Sequence, residues 1–265
     1  MRRPSHPRPC RTMAAGAAVG VAALFACGPC AEKKGGTRTD VALASRAAPA
    51  DGRPESLVIM PLGDSITGEA HAYREPLYEL LTGAGCPTRF VGSQYDPRAS
   101  IPERNHEGHS GWTVQDIARG VGAWLADARP DYVLLLIGTN DLAWSCAETG
   151  AQVAERHAAL MDAILDGLPT AWLVVGSIPP ESPSIVDSAG ADRAQLTVDF
   201  NAAMKRHIES RMAQGKRVRY ADVSGALTLS DLRDGIHPTE RGYLQVAQAW
   251  SRALEPIAKC LGGSR

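Results

Sequence analysis

The residues of this chain best suited to do chemistry sit in short polar clusters, and Ser65 stands in the first, Gly63-Asp64-Ser65. A serine hydroxyl is a weak nucleophile until a base takes its proton, and that base needs a third group to hold its tautomer and orientation. His237 is the candidate base. Asp234 lies three residues before it with Gly235 between, close enough for a carboxylate to reach the Nδ1 side of the imidazole. Pro238 and the helix after it would steady the local backbone. The oxyanion formed by serine attack needs preorganised donors. Backbone N–H groups near Ser65 and Gly111 can serve, and the side-chain amide of Asn140, in Gly138-Thr139-Asn140-Asp141, supplies a third. Each cluster alone also suits an ordinary turn, because Asp, Asn and Ser bond to their own local backbone.

The elements that carry the clusters separate these readings. From residue 56 onward, apolar strands alternate with helical patterns: strands at 56–62, 88–92, 131–138, 171–178 and 217–223, and helices at 73–82, 113–128, 152–165, 195–213 and from Thr239 to about Lys259. Thr113 is expected to cap its helix, with Val114, Ile117, Val121 and Leu125 on the apolar side. Tyr132–Ile137 is continuously apolar, as a central parallel strand covered on both faces should be. Five strands joined by helical crossovers predict an α/β fold, a three-layer α/β/α sandwich on a five-stranded parallel sheet. Residues 93–111 and 179–193 read as long loops that set access to the site. Ser65, Gly111, Asn140 and the Asp234/His237 pair then fall in separate loops at one edge of one sheet, where ligands of open α/β sheets bind. Independent turn chemistry seldom converges in that way.

The 265-residue chain has a formal net charge of −1. Four arginines (Arg2, Arg3, Arg8, Arg11) crowd its start; without them 24 basic residues face 29 acidic ones, a charge of −5. No basic face is left for nucleic acid. Those arginines, followed by the apolar small-residue run Met13–Ala26, have the layout of a secretory signal. Leu24-Phe25-Ala26-Cys27 resembles a bacterial lipobox, so residues 1–27 are read as an export signal with Cys27 lipidated and attached to the membrane. Ordinary cleavage nearby is the alternative. Residues 28–55 read as a flexible tether, and 56–262 as one catalytic domain. Export permits disulfides, but the pairing among Cys86, Cys146 and Cys260 stays open. Their spacing matches no zinc pattern, and no metal or other cofactor is expected. His106, Glu107 and His109 are read as hydrogen-bonding groups that shape the Gly111 loop.

Taken in order, Gly63-Asp64-Ser65, Gly111, Gly138-Thr139-Asn140-Asp141 and Asp234-x-x-His237 resemble the four blocks of the SGNH, or GDSL, hydrolase superfamily. That resemblance implies a flavodoxin-like sheet with strand order 2-1-3-4-5. It also implies Ser65 as nucleophile, His237 as base, Asp234 as its orienter, and Ser65, Gly111 and Asn140 as the oxyanion hole. Pro61-Leu-Gly-Asp-Ser-Ile-Thr67, Tyr73-Arg74, Phe90-Val-Gly-Ser93 and His106-Glu-Gly-His-Ser-Gly-Trp112 look like the carbohydrate esterase family 3 branch, which includes acetylxylan esterases. The implied substrate is an acylated carbohydrate such as acetylated xylan. Tyr73, Trp112 and Trp144 are candidate stacking residues for a sugar ring, and Asp64 and Arg74 further candidate contacts. Two rivals remain: a lipase, lysophospholipase or thioesterase with the same machinery, and an inactive sugar-binding surface module.

Overall fold

The computed structural model describes residues 56–144 and 148–261. Its sheet is built on β1 (Leu57–Gly63), whose seven residues are all buried. One edge of β1 pairs in parallel with β5 (Tyr132–Leu136), from Ile59 opposite Tyr132 to Gly63 opposite Leu136. β6 (Trp172–Gly176) and β7 (Val218–Ala221) continue the sheet in parallel. The apolar run of β5 is buried from Val133 onward, as a strand covered on both faces requires.

The other edge of β1 is shared. Its first half pairs with β2 (Thr88–Phe90) and its last two residues with β4 (Asn105–Gly108), both in parallel. A two-residue strand, β3 (Gln94–Tyr95), pairs antiparallel with β4. The order is therefore β3-β4-β1-β5-β6-β7 with β2 also on β1. This agrees with the 2-1-3-4-5 order but adds two strands inside the segment 93–111, which the sequence presents as loop. Pro61 marks the handover. Leu57 donates to Pro87, while Ile59 and Gly63 accept from Val91 and His109, so alternate residues of β1 face this edge. Pro61, the remaining one, has no N–H to offer and falls between the end of β2 and the start of β4.

Helices cover both faces. α2 (Arg74–Gly83) packs on α7 (Glu240–Leu254) on one side, while α3 (Val114–Ala128), α5 (Gly150–Gly167) and α6 (Arg193–Ala213) form the other layer. Thr113 caps α3 in a reciprocal pair with Asp116, and Val114, Ile117, Val121 and Leu125 are buried as the spacing predicts. Two short helices, α1 (Ser65–Gly68) and α4 (Thr139–Ala143), begin where β1 and β5 end. They carry Ser65 and Asn140.

Cys86 and Cys260 form a disulfide with a Cα–Cα distance of 5.4 Å, tying the turn after α2 to the segment after α7. A cross-link over so long a loop removes several kcal/mol of unfolded-chain entropy, about 5 in the chain-entropy account. Cys146, the signal, the tether and Cys27 lie outside the described residues. Among the described residues no helix is long and apolar enough to cross a membrane.

Candidate active site

The turn that carries Ser65 follows from close packing at the end of β1. A side chain on Gly63 would meet the carbonyl oxygen of Leu136 at 2.1 Å, so only glycine lets β1 and β5 approach there. Asp64 caps the turn by accepting from the Ile66 N–H at 3.0 Å. Ser65 then emerges half-buried at the carboxyl edge of the sheet.

The second arm is the loop before α7. His237 Nε2 lies 2.9 Å from Ser65 Oγ, and its Nδ1 lies 2.8 Å from Asp234 Oδ2. The other oxygen, Asp234 Oδ1, accepts from the backbone N–H groups of His237 at 2.7 Å and Ile236 at 3.1 Å. Partial burial opposes the charge on Asp234, but these bonds outweigh it and hold its carboxyl below the usual range. An ionised Asp234 favours the tautomer with the proton on Nδ1, which leaves Nε2 free to accept from serine. The loop closes on itself through the Arg233 N–H to His237 carbonyl bond of 2.9 Å. It rests on the segment 179–193 through Ser182, which donates to the Gly235 carbonyl at 3.1 Å.

The third arm is the segment after β4. Gly111 is exposed and has a φ of 81°, in the left-handed region that glycine tolerates. Two consecutive residues of α4 hold this arm: Asn140 Nδ2 donates to the Trp112 carbonyl and Asp141 Oδ2 accepts from Val114 N–H, both at 2.9 Å. One amide hydrogen of Asn140 is thereby used, and the second remains to be directed at an oxyanion. Beneath them lies a buried polar network. Glu107 accepts from Ser93 N–H at 2.7 Å, from Ser93 Oγ at 2.8 Å and from His109 Nε2 at 2.7 Å. Burial disfavours its charge, yet these three donors hold its carboxyl below the usual range. His106, pushed down to about 4 chiefly by burial, accepts from Gly108 N–H on Nδ1 at 3.1 Å. Among the described residues no cluster of His, Cys, Asp or Glu is arranged to hold a metal ion.

Three expected substrate contacts are corrected. Tyr73 is fully buried, its hydroxyl against Thr67 Oγ1 at 3.2 Å and its ring 5.9 Å from that of Trp250. Arg74 is also buried, bonded to the Thr67 carbonyl at 2.9 Å and to Asp96 at 3.0 Å, so it braces the turn that carries Ser65. Asp64 is buried too. Burial first, with the nearby charges of Asp141 and Glu181 adding to it, pushes its carboxyl up to about 7 against the bond from Ile66. Trp112 is half-buried and stacks on His109 at 3.9 Å. Trp144 is 50% exposed just after α4.

A polar groove of about 310 Å³ opens beside this arm, lined among others by Gly68, Tyr95, Arg98, Ser110 and Trp112. Tyr95 stands 60% exposed at its rim. Tyr95 leaves no signal in the sequence because it belongs to a two-residue strand with no apolar pattern around it. A larger cavity of about 490 Å³, lined by Arg89, Glu103, Trp124 and Asp127 among others, includes none of the triad residues. Glu69, 3.8 Å from His237, and the two residues bonded to it, Arg233 and Tyr243, leave no signal of their grouping in the sequence.

The model of the GDSL-like lipase/acylhydrolase family matches residues 62–244. A multidomain esterase of Ruminococcus flavefaciens is 28% identical over 234 residues, 78% of this chain and 30% of that protein. The chain thus spans less than a third of that relative's length. A solved family 3 carbohydrate esterase from Clostridium thermocellum is 32% identical, with a TM-score of 0.67 over 79% of this chain and all of that one. A carbohydrate esterase family 3 structure from Talaromyces cellulolyticus is 30% identical, with a TM-score of 0.65 over 78% of this chain and all of that one. With Ser65, the His237 loop and the Gly111 arm brought to one sheet edge, and with these relatives, the chain belongs to the GDSL-like lipase/acylhydrolase family and is an esterase.

Proposed function

We propose that this esterase removes acetyl or other short acyl groups from carbohydrates by acyl-enzyme chemistry at Ser65. The observation that carries the reading is the unbroken chain from Ser65 Oγ to His237 Nε2 at 2.9 Å and from His237 Nδ1 to Asp234 Oδ2 at 2.8 Å. Ser65 attacks the ester carbonyl as His237 takes its proton. The N–H groups of Ser65 and Gly111 and the Asn140 amide hold the oxyanion. His237 gives the proton to the departing sugar hydroxyl, and the same ring then activates the water that releases the acid.

The sugar substrate is supported by the site's surroundings. The groove beside Ser110 is polar and rimmed by the exposed ring of Tyr95, and Trp144 is exposed near Asn140. Aromatic rims beside polar grooves suit sugar rings, which offer apolar faces and hydroxyl edges. Acetyl and octanoyl esters of one alcohol, together with acetylated xylo-oligosaccharides, test the reading by acid release. Acetyl should exceed octanoyl in kcat/KM, and acetate should be freed from the oligosaccharides. A preference for octanoyl would move the reading to a lipase.

We also read the chain as exported and anchored through Cys27, on its basic and apolar start and the lipobox-like Leu24–Cys27. The Cys86–Cys260 disulfide supports an oxidising compartment. Metabolic labelling with palmitate in a bacterial host should mark the full chain and not Cys27→Ser. Label retained by that variant would contradict the anchor.

A further inference from the structure

Beside the triad lies a charged group that the reaction as written does not use. Glu69 closes the turn of α1: its N–H donates to the Ser65 carbonyl at 2.8 Å, and its own carbonyl accepts from the buried Arg74 at 3.0 Å. The root of its side chain is therefore set by the nucleophile's own backbone. From there the carboxylate reaches toward the base, with Oε1 3.8 Å from His237 Nε2. Nε2 is also the atom that faces Ser65 Oγ. Both oxygens of Glu69 are held elsewhere, each 2.6 Å from Arg233 Nη2, and Oε2 also accepts from the Tyr243 hydroxyl at 2.8 Å. Arg233 itself belongs to the base's loop, one residue before Asp234.

An unheld carboxylate at that place would compete with the reaction. Once His237 takes the serine proton, it is a cation with an N–H on Nε2. A bond from that N–H to a free carboxylate is charge-assisted and about twice as strong as one to a neutral oxygen. Shortening 3.8 Å to an ordinary hydrogen bond takes a movement of only about 1 Å. The ring would turn off Ser65, and its proton would be kept from the leaving alcohol. We propose that Arg233 is a positioning residue that holds Glu69 off the catalytic base, leaving Nε2 to serve the serine and the leaving group. The proposal rests on the triad reading above. Arg233 and Glu69 are both partly exposed, so the pair does little for stability. Its effect lies in which atoms are occupied.

Removing the holder should therefore do more harm than removing both partners. Steady-state kinetics on a small aryl acetate would compare the wild type with Arg233→Ala, Glu69→Gln and the double variant, with folding checked by melting. Arg233→Ala should lower kcat about tenfold or more with KM nearly unchanged, since a base drawn aside weakens the chemical steps rather than ground-state binding. Glu69→Gln should stay within about threefold of wild type, and the double variant should return to that level. If Arg233→Ala does not fold, Arg233→Gln carries the same test. A double variant as impaired as the Arg233 variant, or an Arg233 variant with full kcat, overturns the proposal. Those results leave the triad standing, whereas a wild type unable to hydrolyse the ester would sink the triad reading itself.

Discussion

Ser65 is flanked by two arms built on different physics. The arm that the proposed mechanism assigns to the oxyanion, from Asn105 to Thr113, is held by buried bonds to its neighbours. Glu107 is fully buried with three donors, His109 stacks on Trp112, and α4 bonds to the backbone at Trp112 and Val114. The base arm, around Asp234 and His237, lies in the open, with the Asp234 side chain 49% exposed. It is held by its own backbone bonds and by the Arg233–Glu69 pair. The difference is chemically sensible. An oxyanion hole must be rigid before charge appears, because its advantage is preorganisation. A base must exchange protons with the leaving group and then with water, so an accessible imidazole serves it better. Changes in the base arm should therefore cost turnover alone, and changes in the oxyanion arm should cost stability as well.

Four variants would break or sharpen that contrast. Asp234→Asn should lower kcat by about four orders of magnitude, because the wrong tautomer of His237 is then favoured. Its melting temperature should fall by only a few degrees, since the side chain is 49% exposed and an amide oxygen can still accept from the Ile236 and His237 N–H groups; a large drop in melting would deny the base arm its independence. Asn140→Ala should cost about a hundredfold in kcat as a lost oxyanion donor, read from initial rates on an aryl acetate. A loss below a few-fold would remove Asn140 from that role.

Glu107→Gln should couple both effects. It sets an amide NH₂ against donors from Ser93 and His109, which should lower unfolding stability in denaturant by about 2 kcal/mol and reduce kcat by displacing Gly111. Unchanged stability would mean that the network is ornamental. A further effect concerns pH. Asp64 is pushed up to about 7, so the folded protein keeps a proton that the unfolded chain releases near the ordinary carboxyl value of 3.8. Its contribution to stability therefore falls as pH rises from about 4 to about 7, at up to about 1.4 kcal/mol per pH unit. Asp64→Asn, whose amide oxygen can still accept from Ile66, should gain stability over wild type between pH 5 and pH 8; an equal difference at both pH values would contradict the shift. Glu107 has the opposite sign. Its lowered carboxyl adds stability at neutral pH that is lost on acidification.

The same contrast explains what the sequence disclosed. β1, β5 and the capped helix α3 were legible because burial on a sheet or helix leaves a period in the residue types. β4 was not, since Asn105-His-Glu-Gly108 carries polar groups into the interior and satisfies them there, leaving no apolar signal. The four site loops were legible as polar clusters after apolar strands. Their neighbours were less so: Tyr73 and Arg74 look like surface groups in sequence, yet burial under α7 and the partner Asp96 place them beneath the turn. Glu69 and Arg233 stand 164 positions apart, and nothing local signals their pairing. The Cys86–Cys260 bridge is equally long-range.

The central claim is that Ser65 carries the acyl group. Rapid quenching during turnover of an aryl acetate, followed by peptide mass analysis, reads it directly. The account predicts one acetyl group on the peptide containing Ser65, and from Ser65→Ala a folded protein that releases no acetate above background. Undiminished acetate release by Ser65→Ala, or an acetyl group found on another residue that turns over at the rate of the reaction, would contradict it.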